Sequence, residues 1–294
     1  MYAKIRGFTT IGIKGQAIDV EIDLSNSLPG FEIVGLPNAA VKEARERVRA
    51  AIKNSGFEFT RKRITVNLAP ANVRKEGSML DLPIAIGLLL LSGELNEKQI
   101  QRIGFLGELS LDGKIKAVNG VLPMVLEAEE LGGYDRIIVP LENFVESCQV
   151  RNVEIVGVGD LRALVDLLKA QVGSAYDRTR VHTRGLDWKG PVPGKGTWEG
   201  MDMEDVKGHW AAKRALEVAA AGNHNVLLAG PPGSGKTMLA KRIVSIMPEL
   251  TYEERLEVTK ILSVSGLLRR SDGIASNRPI RCPHHSISTI ALAG

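Results

Sequence analysis

Apolar and acidic residues alternate over residues 17–24 (Ala-Ile-Asp-Val-Glu-Ile-Asp-Leu). That period of two predicts a half-buried strand, and residues 3–24 as a whole read as strand. Residues 26–30 read as a turn, and 31–34 as a short strand closed by Gly35 and Pro37. The period then lengthens. Val41, Ala44, Val48, Ala51 and Ile52 recur at helical spacing, behind Asn38 as N-cap and ahead of Gly56 as stop. Basic residues and interspersed glutamates fill the other faces, which reads as a solvated, salt-bridged surface rather than a nucleic-acid helix. Beyond it the pattern predicts a strand at 63–68, a loop at 70–77 and an apolar helix at 81–91 with Pro83 in its first turn. A hairpin turn at Asp112-Gly113 follows. Helix 122–131 stops at Gly132-Gly133, strands cover 136–140 and 153–158, and helix 161–168 is capped by Asp160. Strands and helices mix without regular βαβ alternation, so residues 1–170 are expected to form an α+β domain.

From 171 to 200 the apolar period dissolves into glycine and proline, the composition of a linker. A second domain is expected over 201–294. Ala211, Ala212, Ala215, Leu216, Val218 and Ala219 mark a helix directly before an apolar run at 226–229 of buried-strand length. After that run, Met238, Leu239, Ile243 and Val244 return to helical spacing, and Thr251 caps a helix over 253–262. Residues 265–277 are polar and glycine-containing, and Arg269, Arg270, Arg278 and Arg281 stand there and just beyond against the single acid Asp272.

The chemistry sits between the predicted strand and helix. Gly230, Pro231, Pro232, Gly233, Ser234, Gly235, Lys236 and Thr237, followed by Met238, match the pattern G-x-x-x-x-G-K-[ST] in its strand–loop–helix context. A triphosphate must be enclosed without being repelled. Glycines let successive N–H groups point into one hollow, and a helix start adds its positive dipole end. Lys236 is placed to reach the β- and γ-phosphates, and the Thr237 hydroxyl to ligate Mg²⁺. ATP and Mg²⁺ are the expected cofactors.

Composition narrows the setting. The chain has 294 residues, a length that favours two domains. No apolar run reaches the length of a membrane span and the N-terminus carries no signal core, so no membrane partner and a cytoplasmic location are expected. Cys148 and Cys282 stand far apart with no C-x-x-C pair, which argues against a disulfide framework or a cysteine zinc site. His284 and His285 near Cys282 read as packing or interface residues, since adjacent histidines diverge and no fourth ligand is in view. The net charge of +4 neither demands nor excludes a nucleic-acid partner.

Residues 203–294 resemble an AAA+ ATPase of the magnesium-chelatase group. The likeness rests on Asp205-Val-Lys-Gly208-His209, the helix and Asn223-His-Asn225 after it, the glycine loop, and Arg278-Pro-Ile-Arg-Cys-Pro-His-His285. Residues 1–170 resemble the domain that precedes this module in the ComM/YifB subfamily of magnesium-chelatase-like proteins, through Phe31-Glu-Ile-Val-Gly-Leu-Pro37, Asn67-Leu-Ala-Pro-Ala71 and Asp81-Leu-Pro-Ile-Ala85. That domain is in turn similar to the proteolytic domain of Lon. The Lon serine position holds Met79, Ser78 lies one residue early, the lysine position holds Leu122, and Lys114 and Lys116 are out of register. The domain is therefore expected to be proteolytically inactive. The fold expected from the resemblance is a Lon-protease-like α+β domain followed by an incomplete α/β P-loop (AAA+) domain.

The resemblance further implies that His209 contacts the adenine base. It implies a hairpin carrying Arg269, Arg270, Arg278 and Arg281 toward nucleic acid, a homo-hexamer, and an ATP-driven DNA branch-migration helicase tied to competence and recombination. No apolar strand ending in Asp-Glu (the Walker B strand), no sensor residue and no arginine finger follow Thr237, so the chain is expected to be a fragment that holds no catalytic residue of its own. Two other functions stay open: a magnesium-chelatase ATPase subunit, and a nucleotide-binding scaffold that does not hydrolyse.

Overall fold

In the computed structural model, two long strands start the chain and set the frame for the first unit. The structure describes residues 1–75, 77–170, 181–184, 202–269, 273–283, 286 and 288. β1 (Tyr2–Ile11) and β2 (Lys14–Ser25) pair antiparallel in full register, from Ile11 opposite Lys14 to Tyr2 opposite Asp23. The alternation seen in the sequence has its physical counterpart: Ile18, Val20, Ile22 and Leu24 are buried while Asp19, Glu21 and Asp23 are not.

β3 (Gly30–Val34) runs parallel to β4 (Arg63–Ala69), and β4 pairs antiparallel with β2. The crossover between β3 and β4 contains α1 (Ala39–Asn54). Its N-cap side chain, Asn38, accepts from the Val41 N–H, and Val41, Ala44, Val48, Ala51 and Ile52 form the buried face. α2 (Asp81–Leu91) is buried on nearly every side, as a sequence apolar at every position after Asp81 requires.

The next stretch is denser than its sequence suggested. α3 (Glu97–Ile100) is one turn held by a capping box between Asn96 and Gln99. β5 (Ile103–Phe105) lies parallel to β1 and to β8 (Arg136–Pro140). β6 (Glu108–Leu109) and β7 (Ile115–Lys116) close the expected hairpin at Gly113. α4 (Val121–Leu131) precedes β8, and α5 (Phe144–Ser147), β9 (Glu154–Val158) and α6 (Leu161–Lys169) follow it.

Within the expected linker, residues 181–184 form β10 (Val181–Arg184), which pairs antiparallel with β9; the remainder of 171–200 lies outside the described residues. The sheet order is β10-β9-β8-β5-β1-β2-β4-β3, with four parallel neighbour pairs and three antiparallel ones. The first unit is thus a mixed α/β layer.

The chain divides into two units, residues 1–191 with 259–274, and residues 192–258 with 275–294. The second contains α7 (Trp210–Gly222), α8 (Lys236–Arg242) and most of α9 (Tyr252–Val264). Thr251 caps α9 as expected, its hydroxyl accepting from the Glu254 N–H at 3.2 Å. One expectation fails. Residues 226–229 form no strand, and Leu227 is 92% exposed. A strand needs a neighbour to pair with, and the second unit offers none among the described residues. Among the described residues no helix is long and apolar enough to cross a membrane.

Candidate functional site

The glycine loop joins the extended segment 226–229 to α8. Gly233 and Gly235 sit at φ +79° and +78°, left-handed conformations that side-chain-bearing residues adopt only with strain. Gly235 is the N-cap of α8. The loop therefore turns sharply twice and delivers Lys236 and Thr237 as the first residues of the helix. Leu239 anchors that helix in a small apolar cluster with Met203, Val206 and Leu216, and Leu228 and Met238 pack against it.

Lys236 reaches back over the loop. Its Nζ donates to the carbonyls of Gly230 and Pro231, both at 2.8 Å, and lies 3.3 Å from Ser234 Oγ. These acceptors are neutral, so they hold the ammonium group without cancelling its charge, and no carboxylate pairs with it among the described residues. Thr237 is exposed beside it. A methyl group on Gly233 would meet nothing within 4 Å, whereas one on Gly230 would stand 3.0 Å from Ser234 Oγ.

His209 belongs to the same place. It takes the left-handed conformation (φ +54°) directly after Gly208 and caps α7, and its Nε2 lies 3.6 Å from where a β-carbon on Gly235 would be. The structure thus brings His209 from ahead of α7 to the edge of the loop. Met203 and Val206, which the sequence reading did not single out, are part of what holds this arrangement. Their only signal was two apolar residues in a short polar run.

Arg269 is exposed and falls in the first unit, Arg278 and Arg281 fall in the second, and Arg270 lies outside the described residues. Arg278 is engaged locally. Its Nε donates to the Pro248 carbonyl at 2.8 Å and its Nη2 meets Glu254 Oε2 at 3.2 Å. Arg281 is exposed.

No group of three or more His, Cys, Asp or Glu residues that could hold a metal occurs among the described residues. His284 and His285 lie outside them. Cys148 is buried and donates to the Phe144 carbonyl, Cys282 is exposed, and the two form no disulfide. In the first unit, Ser78 donates its hydroxyl to Glu108 rather than to an amine. Met79 and Leu122 are buried, and Lys114 pairs with Asp112 at 3.3 Å.

Comparison with known proteins gives two family matches. Residues 20–143 match the model of subunit ChlI of Mg-chelatase, and residues 202–294 match the model of magnesium chelatase, subunit ChlI. The competence protein ComM of Haemophilus influenzae is 39% identical over 287 residues, covering 97% of this chain and 54% of that protein. An uncharacterized protein YifB of Salmonella typhimurium is 41% identical over 287 residues, covering 97% and 53%. An uncharacterized protein of Mycobacterium tuberculosis is 40% identical over 283 residues, covering 96% and 54%. The chain spans about half the length of the curated relatives it matches.

Proposed function

The chain belongs to the ComM/YifB family of magnesium-chelatase-like proteins, and from that premise we propose that its glycine loop binds ATP with Mg²⁺ and that the whole protein is an ATP-driven motor acting on DNA. The observation that carries the reading is Lys236, held over the loop by two backbone carbonyls with its charge unpaired among the described residues.

The residues fit a nucleotide. The left-handed backbone at Gly233 and Gly235 turns main-chain N–H groups toward one hollow, which suits phosphate oxygens. Lys236 exchanges two neutral acceptors for charged ones, a favourable trade in a partly shielded site. Thr237 would supply a hydroxyl for the metal, and with no carboxylate cluster at the loop among the described residues the ion would arrive with the triphosphate. His209 offers a flat ring at the loop's edge for a purine base. ATP would supply a phosphoryl group whose transfer releases the energy for movement. In this reading the family's hexameric ring is the working assembly and the cytoplasm its location. The first unit is a Lon-like domain in which Ser78, with no amine base among the described residues, has no part in peptide cleavage.

A second reading is a magnesium-chelatase ATPase subunit, favoured by the descriptions of both matching family models. The test has two stages. ATP affinity is measured for this chain and for Lys236→Ala, where loss of binding supports the site and unchanged affinity removes it. ATP turnover of the full-length protein is then measured with forked DNA and with a porphyrin substrate plus chelatase partners. Stimulation by DNA alone supports the DNA motor, and stimulation by the porphyrin system supports the second reading. Stimulation by neither leaves the scaffold.

A further inference from the structure

The first unit carries a second charged surface, remote in sequence from the glycine loop. The segment after α1 folds back along that helix and the start of β3, leaving an open groove of about 1130 Å³. That exceeds the usual volume of a small-molecule site. Arg45, Arg49, Lys53, Arg61 and Lys62 line it, against the carboxylates of Glu46 and Glu58. Among the described residues only Arg45 of these five has a carboxylate partner, Glu46 at 2.9 Å, and both members of that pair are exposed. Such pairs open readily in water.

Aromatic faces are set among these cations. Phe31 and Phe59 are half-buried, with rings nearly parallel at 8° and centroids 6.5 Å apart. The Arg49 guanidinium stands 6.0 Å from the Phe59 centroid. The charge pattern of α1 alone pointed to a solvated helix face. The fold changes that by adding Phe59, Arg61 and Lys62, which sequence spacing kept apart from Arg49.

We infer that this groove binds single-stranded nucleic acid. Unpaired cations suit a run of phosphates, and flat apolar rings suit unstacked bases, which every base can use through its π-face. A duplex keeps its bases stacked inside and would offer no base face to Phe31 and Phe59. The inference deepens the DNA-motor reading by naming a substrate form and a place for it. It uses none of the glycine-loop residues.

The test is binding of labelled oligothymidylate to this chain without nucleotide, repeated in Lys236→Ala so that failure of the ATP site is read separately. Two exposed cations are removed together in Arg49→Ala/Arg61→Ala, and Phe59→Leu keeps an apolar side chain but removes the ring. The double variant is expected to bind about tenfold more weakly, with the slope of log affinity against log salt flattened by about 1.4, the value for two single-strand phosphate contacts. Phe59→Leu is expected to lose about fivefold or more with the salt slope unchanged. Thermal melting checks that both variants fold. Unchanged affinity in the double variant overturns the inference. So does equal binding of oligothymidylate and polyglutamate with no effect of Phe59→Leu, which would make the groove an acidic-peptide surface.

Discussion

Arg47 on α1 and Asp81 at the first position of α2 form a two-pronged ion pair. Arg47 Nε meets Asp81 Oδ2 at 2.6 Å and Arg47 Nη2 meets Oδ1 at 3.0 Å. The Leu109 N–H adds a third donor at 3.2 Å, and Arg47 also donates to the Ala40 carbonyl. The pair ties α1, α2 and the β6–β7 hairpin to one point. Asp81 is 1% exposed. Burial pushes its pKa up to about 6, while the Arg47 guanidinium and the Leu109 N–H pull the other way. Taking this carboxylate out of water therefore costs more than its partners return, a common outcome for buried pairs.

That imbalance predicts a pH dependence with a definite sign. Asp81 has its folded pKa raised above the unfolded 3.8. As pH rises from about 4 to about 6, the unfolded chain releases this proton while the folded chain still holds it, so the Asp81 contribution to stability falls. Above that window it is flat. Urea denaturation across the range should show this slope, and Asp81→Asn should remove its share of it. Arg47→Met should cost about 3–5 kcal/mol at neutral pH, because it leaves the carboxylate buried without its cation. Acidification should restore much of that loss. A deficit in Arg47→Met that is the same at both ends of the range would contradict this account.

Gly35 should tolerate no side chain. Its φ is +96°, and a β-carbon there would stand 2.3 Å from the Leu68 carbonyl oxygen, which is backbone and held in β4. Strain and clash add, so Gly35→Ala is expected to cost at least about 2 kcal/mol. Gly93 (φ +85°) has nothing within 4 Å of the same added atom, and Gly93→Ala should cost only the left-handed strain, about 1 kcal/mol. Equal midpoints in denaturant for the two variants would refute the comparison.

These cases show what the sequence made legible. Period-two alternation placed β2, and one apolar stripe behind Asn38 placed α1, because each element buries one face against a single layer. The turns of the glycine loop were legible because left-handed backbone calls for glycine, as at Gly233 and Gly235. β5, of three residues, was not, because a strand that short has no period and exists only by pairing with β1 and β8. The strand expected at 226–229 failed for the complementary reason. Its residues suit a strand, but pairing is a property of neighbours, and none is described there. Asp81 stood only as the first residue of a predicted apolar helix, and nothing local revealed Arg47, 34 positions earlier. Aromatic residues at 31 and 59 gave no local sign of meeting either.

A second buried carboxylate supports another prediction. Glu146 accepts from Asn143 Nδ2 at 2.5 Å and from Ser263 Oγ at 2.8 Å, and all three residues are buried. Burial raises the Glu146 pKa, while Ser263 and Asn143 lower it. Ser263→Ala removes one of the opposing donors. It should raise the Glu146 pKa further and cost about 1–3 kcal/mol at neutral pH, with the deficit shrinking on acidification as the carboxylate takes up its proton. Hydrogen exchange should locate the loosening at residues 259–266, where the Gly120 N–H also donates to the Ser263 carbonyl at 3.0 Å. Unaltered protection in that segment, with an unaltered midpoint, would show that the hydroxyl contributes nothing.

At the glycine loop, base and phosphate recognition should separate. Lys236 touches only loop atoms, while His209 approaches from ahead of α7 and reaches the edge of Gly235. Lys236→Ala is expected to abolish binding of ATP and of inorganic tripolyphosphate alike, because the lost ammonium faces phosphate in both. His209→Ala is expected to weaken ATP about tenfold, the scale of one lost ring contact, and to leave tripolyphosphate affinity unchanged. Both side chains lie outside the Met203, Val206, Leu216 and Leu239 cluster, so neither change should move the denaturation midpoint by more than about 1 kcal/mol. Calorimetric titration of the two ligands into both variants decides the matter. An equal loss for ATP and tripolyphosphate in His209→Ala would mean that the histidine holds the loop's shape and does not read the base.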